Sequence, residues 1–147
     1  MELVTFTIGF TKTNASHFFS RLTDAGVVLV VDVRLNNTSQ LSGFAKAEDL
    51  PYFLKQIAGI KYAHRPELAP TDIMLKEFKK EKGDWSVYER KFMKLMESRK
   101  IEDKFRPEMF DKSCLLCSED KPHYCHRRLV VEYLNGKWGS ALNVQHL

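Results

Sequence analysis

The sequence is poor in the features that would place it outside ordinary globular proteins. Its longest uninterrupted apolar run, Val27 to Val31, is far too short to cross a bilayer. The opening Met-Glu-Leu-Val-Thr has neither the basic start nor the apolar stretch of a secretion signal. Three cysteines, an odd number without framework spacing, argue against a disulfide scaffold and for a reducing compartment. A cytoplasmic protein without a membrane partner is therefore expected. Repeats, low-complexity tracts and linkers are lacking. The Cys-x5-Arg spacing of phosphotyrosine phosphatases is missing too, since His123 stands where Cys117 would need an arginine. Gly9 alone makes no phosphate-binding glycine loop.

What is present fits one packed domain. The 147 residues leave no room for a second, so 1–147 is expected to be a single domain. Ten Phe, five Tyr and two Trp supply large core side chains. With 23 basic and 19 acidic residues, the net charge of +4 permits an anionic partner without demanding one. Lys121, His123, His126, Arg127 and Arg128 crowd into eight residues, either a solvated basic turn or an anion site.

Strand and helix patterns alternate. Leu3–Ile8 alternates like a strand, and Val27–Val33, apolar except for Asp32, reads as a strand buried on both faces. Ile60–His64, Ser113–Cys117 and Leu142–Leu147 are further strand candidates. Between them, helical spacing relates Phe18, Phe19 and Leu22, with Gly26 as the stop, then Leu50, Phe53, Leu54 and Ile57, closed by Gly59. Pro70–Lys80 is a helix candidate. Asp84–Ser98 is a stronger one, with Trp85, Tyr88, Phe92, Leu95 and Met96 on one stripe best read as core. A last helix carries Leu129, Val130, Tyr133 and Leu134 and should end at Gly136. The expectation is an α/β fold, a mainly parallel sheet with helices on both faces in a single three-layer domain.

Such sheets bind ligands beyond the carboxyl ends of their strands. Phe10, Thr11, Arg34, His64, Arg65, Ser118 and Glu119 all fall at or just after strand ends. Alternation sends Asp32 and Arg34 to one face, as a structural ion pair or as an arginine anion clamp oriented by the aspartate. The segment from Cys117 to Arg127 joins a strand to a helix. A helix starting near Cys125 would place unpaired N–H groups beside that sulfur and favour its thiolate, and could equally hold a phosphate. Cys125 is thus expected to outreact Cys114 and Cys117, unless Cys117 and Cys125 are merely small core side chains. Cys117, His123, Cys125 and His126 could in principle ligate zinc. Their spacing is unusual, however, and Cys125 and His126 would diverge on a helix, so no metal and less than stoichiometric zinc are expected.

At these residues the chain resembles the domain of unknown function 488 family. The matching pieces are Thr7-Ile8-Gly9-Phe10-Thr11, Val31-Asp32-Val33-Arg34 with Ser39 and Phe44, and Tyr62 with Leu68. Leu115-Leu116-Cys117-Ser118-Glu119, Cys125-His126-Arg127 and the closing Val144-Gln145-His146-Leu147 complete the set. The resemblance implies an α/β fold and brings no established reaction. Two departures stand out. Phe10 occupies a position where His or Tyr is common, which puts a catalytic role there in doubt. Asn36-Asn37-Thr38 replaces a proline-containing turn, which would loosen the loop after Arg34.

Three functions compete. The first is an enzyme on a phosphate-bearing substrate, a nucleotide or nucleic acid. Arg34, Arg127 and Thr11 would bind the anion, Glu119, Cys125 and His126 would carry the chemistry, and Asp32 and Cys117 would orient, with no cofactor. The second is a nucleic-acid-binding module using the stretch from Lys121 to Arg128. The third is a cysteine-based redox or metal regulator. Acid, thiol, imidazole and guanidinium groups gathered in one loop favour the enzyme.

Overall fold

The structure, a computed structural model, describes residues 2–38, 43–80, 84–118 and 125–147. Five strands, β1 (Leu3–Ile8), β2 (Leu29–Asp32), β3 (Lys61–His64), β4 (Ser113–Leu116) and β5 (Leu142–His146), form one sheet in the order β3-β2-β4-β1-β5. Every pairing is parallel, with Thr5 and Leu29 both registered on Ser113 across the centre. The helices are α1 (Ala15–Ala25), α2 (Leu50–Phe53), which runs on as a π-helical turn over Leu54–Ala58, α3 (Asp72–Lys80), α4 (Trp85–Arg99), α5 (Ile101–Lys104) and α6 (His126–Lys137). None of these is long and apolar enough to cross a membrane.

The sequence pattern accounts for the layers. Strands β2 and β4 are apolar on both sides, so each feeds two cores. Val30, Cys114 and Leu116 pack with Phe18, Phe19 and Leu22 of α1 and Leu50 of α2. Val31, Leu115 and Cys117 pack with Met74, Phe92, Met96, Ile101, Leu129 and Val130 from α3 to α6. The chain steps toward the β3 edge after β1 and β2 and toward the β5 edge after β3 and β4. Right-handed crossovers running in opposite directions must lie on opposite faces, which is where these helices sit. The carboxyl end of β4 is therefore flanked by strands whose connections leave on the other side, the arrangement that opens a crevice in such folds.

Helix ends follow local chemistry. Asn14 accepts the His17 N–H at 2.8 Å to cap α1, and Gly26 closes it at φ 76°, a left-handed conformation that costs little only for glycine. Asp84 caps α4, whose buried stripe is Tyr88, Phe92 and Met96. Gly136, expected to stop the last helix, lies inside α6 instead. The helix ends at Lys137, and the positive φ of 62° falls on Gly139.

Phe92 is fully buried where α4 meets α6 and the sheet. Phe92→Ala should cost about 3–5 kcal/mol in urea unfolding through the lost burial and the cavity left behind. Ile73→Ala, at an exposed site on α3, should change stability by less than about 0.5 kcal/mol. Similar costs at the two sites would contradict the core described here.

Candidate functional site

Two clusters meet at the carboxyl edge of β2 and β4. The first lies on the α1 side. Asp32, fully buried at the end of β2, takes the Arg34 guanidinium side-on, with Nε to Oδ1 and Nη2 to Oδ2 both at 2.8 Å. The Arg34 backbone N–H also donates to Oδ1 at 3.1 Å. The Tyr62 hydroxyl donates to Oδ2, and Asn37 Nδ2 reaches Oδ2 at 3.3 Å and the Tyr62 oxygen at 3.2 Å. Burial alone would raise the Asp32 pKa. The Arg34 bonds and charge, with the Tyr62 bond, outweigh it and hold the carboxyl below its usual range. Burial and the Asp32 carboxylate together push the Tyr62 phenol up.

Arg34 is itself buried, 2% exposed, with its guanidinium carbon 5.2 Å from the centre of the Phe10 ring. Its Nη1 has no hydrogen-bond partner among the described residues. The ion pair is thus structural on one edge of the guanidinium, while the far corner still has donors to offer. Phe10 is a stacking platform for that cation. At Asn37, the described part of the turn expected to loosen the loop, the chain is well bonded, while 39–42 lie outside the described residues. Besides the two side-chain bonds of Asn37, its carbonyl accepts the Ala47 N–H at 2.7 Å, so this asparagine is itself firmly held.

The second cluster lies on the α6 side. Cys117 follows β4, Cys125 is the N-cap residue of α6, and His126 is the first residue of that helix. All three are buried, and their ligand-capable atoms lie within 4.8 Å of one another. His126 Nε2 contacts the Val33 carbonyl. A carbonyl only accepts, so Nε2 carries the hydrogen and Nδ1 is left as an acceptor, 3.4 Å from Cys117 Sγ. Cys125 and His126 were expected to diverge. They converge because the Cys125 backbone is extended, at φ −134° and ψ 136°, rather than helical.

The thiol order is the reverse of the sequence expectation. Burial opposes ionisation of Cys117. The Cys125 hydrogen bond, the Arg127 charge, the Ser118 N–H and the Arg34 charge overcome it and set its pKa below the ordinary thiol value. Cys125 is pushed well above that value by burial, by donating to Cys117 and by the charge on that sulfur. The helix N-terminus lies beside Cys125, but Cys117 collects the donors. Nor does Cys125 face solvent, at 3% exposure. Burial also raises Cys114.

The other expected site residues fall as follows. Arg127 is fully buried, and its charge acts on Cys114, Cys117 and Cys125 from both sides of the sheet. The Thr11 backbone N–H is taken by the Ser118 carbonyl at 3.0 Å, so it has no amide to offer an anion. Glu119, with Lys121 and His123 of the basic stretch and Ser39 of the resemblance, lies outside the described residues. The rest of that stretch is no solvated turn. His126 and Arg127 are buried, and Arg128 pairs with Glu132 at 2.9 Å. Sequence reading did not find Tyr62 and Asn37 as partners of Asp32. The signal was available for Tyr62, which shares parity with His64, the register partner of Asp32 on β3. His64 joins the edge by contacting the Arg34 carbonyl at 2.8 Å. The clusters are thus not one cleft. They are neighbours on opposite faces, joined through the backbone of Val33 and Arg34.

A parallel α/β domain with a polar, thiol-bearing carboxyl edge is the class that fold and site define. The family profile described as Domain of unknown function DUF488 matches residues 14–134, and the chain belongs to that family. No curated protein and no solved structure matches it.

Two measurements test the two clusters. The folded Asp32 pKa lies below its unfolded value of about 3.9, so its stabilisation is complete above that pH and is lost as pH falls through the folded value. Asp32→Asn leaves Arg34 buried without its counter-charge and should cost on the order of 3–5 kcal/mol at neutral pH. A urea-unfolding loss under about 1 kcal/mol would show that the pair does not hold the loop. For the thiols, the 13Cβ shifts of labelled cysteine should show Cys117 ionising below the free-thiol value of about 8.5 while Cys125 stays protonated. Ionisation of Cys125 first would invert the assignment.

Proposed function

We propose that the protein is an enzyme acting on a phosphate-bearing substrate, a nucleotide or nucleic acid, at the carboxyl edge of β2 and β4. The observation that carries this reading is the buried Arg34 Nη1 without a hydrogen-bond partner among the described residues. Leaving a cationic donor buried and unpaired is costly, and a phosphate oxygen is the partner a guanidinium corner suits best. Asp32 orients the group and neutralises part of its charge, so the anion meets a fixed donor rather than a mobile arginine. Cys117 and His126 lie across the Val33–Arg34 backbone on the other face, so in this reading they act on the pocket through charge rather than by attacking an anion held at Arg34. Cys125 donates to the thiolate. Glu119, next along the chain from Ser118, is assigned the general acid or base role.

The reading is tested by NMR titration of the labelled protein with inorganic phosphate, nucleoside mono-, di- and triphosphates, and short DNA and RNA oligonucleotides. The amides of 33–37 and 125–128 should shift with at least one phosphate-bearing ligand. Arg34→Lys keeps a cation beside Asp32 but removes the guanidinium corner, and it should weaken that ligand about tenfold or more. Silence of those amides toward every ligand, or wild-type affinity in Arg34→Lys, would overturn the proposal.

A further inference from the structure

We infer that Cys117, Cys125 and His126 form a zinc site with two thiolates and one imidazole as ligands and a fourth position for water or a substrate atom. The inference goes beyond the phosphate reading and does not need an anion at Arg34.

The geometry is close to what the ion requires. Tetrahedral zinc with Zn–S of about 2.3 Å and Zn–N of about 2.0–2.1 Å implies S···N edges of roughly 3.6 Å and S···S edges of roughly 3.8 Å. Cys117 Sγ stands 3.4 Å from His126 Nδ1, and the three ligand atoms lie within 4.8 Å of one another. Small rotations of side chains that already converge would complete three corners of the tetrahedron.

The second argument is orientation. A ligating histidine almost always donates its other ring N–H to a carboxylate or carbonyl, which fixes the tautomer and aims the free lone pair. His126 makes that bond to the Val33 carbonyl, and its Nδ1 faces the sulfur. Packing of the ring against Phe92, 5.7 Å between centres, holds it there. The ligands sit at element ends, Cys117 just after β4, Cys125 at the N-cap of α6 and His126 as its first residue.

The third argument is chemical. Two sulfurs and an imidazole are soft and borderline donors that select zinc over magnesium or calcium, which require oxygen. The two thiolates cancel the charge of the ion, so the loaded site is neutral and suits its burial. Loading displaces the remaining thiol protons to solvent and changes no oxidation state. The zinc-bound and free-thiol forms are alternative states of this edge.

The test uses the full chain, reduced and stripped with a chelator, then loaded with cobalt(II) or zinc(II). About one equivalent of zinc should remain per chain after gel filtration, in keeping with a single site of three protein ligands. The cobalt form should show sulfur-to-metal charge transfer and the intense visible bands of tetrahedral cobalt. Cys114→Ser should load normally, because Cys114 packs in the core on the α1 side. Cys125→Ser should lose metal affinity by about tenfold or more. In the unaltered chain, which guards against a variant that fails to fold, zinc should protect Cys117 and Cys125 from alkylation and leave Cys114 as it was. Arg34→Lys should bind zinc like the wild type while losing phosphate, so the two readings fail separately. Absence of the charge-transfer band, wild-type affinity in Cys125→Ser, or no protection of Cys117 by zinc would overturn the site.

Discussion

The buried Asp32 carboxylate organises the edge of this sheet. A charge at the end of a central strand, with no exposure to water, is tolerable only if everything around it donates. Arg34, Asn37 and Tyr62 do so. Each is then fixed in turn: the guanidinium lies over Phe10, the Asn37 carbonyl accepts the Ala47 N–H, and Tyr62 ties β3 to the network. The course of the chain after β2 follows from satisfying one carboxylate. That course presents the Val33 carbonyl to His126 and the Arg34 carbonyl to His64. The α1-side cluster thereby sets a contact of the α6-side cluster, although their side chains lie on different faces.

Much of this architecture was legible in the residues. The helical stripe of Phe92 and Met96 and the apolar Val30-Val31 pair reflect burial directly, whereas the alternation in Leu3–Ile8 does not, because Thr5 to Ile8 are buried on both faces, and Val28 is 51% exposed. The pairing of Asp32 with Arg34 was legible for the same reason, since alternation alone puts them on one face. The placement of Gly136 was not, because helix ends depend on which backbone groups find partners. Here Trp138 N–H bonds the Leu134 carbonyl, and the chain turns at Gly139. Local pattern also gives no face to residues after a strand ends. Arg34 and Cys117 share an edge but approach it from opposite sides, something only the winding of the whole sheet decides.

The thiols show where local reasoning stops. A helix N-terminus beside a cysteine favours its thiolate, and on that ground Cys125 is the obvious candidate. The effect is modest, on the order of 1 kcal/mol near a helix end. Donors gathered on the neighbouring sulfur outweigh it. Cys117 receives the Cys125 thiol and the Ser118 N–H and sits under two arginine charges. Once one sulfur of a touching pair carries the charge, the other must hold its proton, so the pair titrates as a unit and small differences select the ionised partner. The deciding contacts come from β4, α6 and the loop after β2, which no spacing along the chain could reveal.

The same pair gives the two faces of this edge opposite polarity. A thiolate, a thiol and an imidazole acceptor buried together form an electron-rich cluster on the α6 face, while the Arg34 corner, without a hydrogen-bond partner among the described residues, is electron-poor on the α1 face. Opposite polarities on the two sides of a thin backbone partition stabilise each other. Arg127, buried with its charge felt by thiols on both faces, balances the sulfurs. If Arg127 were neutral, burial would oppose the Cys117 thiolate with less to offset it, and the second proton would tend to return to the pair. The sulfur cluster would then be an ordinary patch of core, and the Arg34 corner would lose the negative charge next to it. The buried arginine thus couples the two halves of the edge, which accounts for a fully buried cation at the first turn of α6.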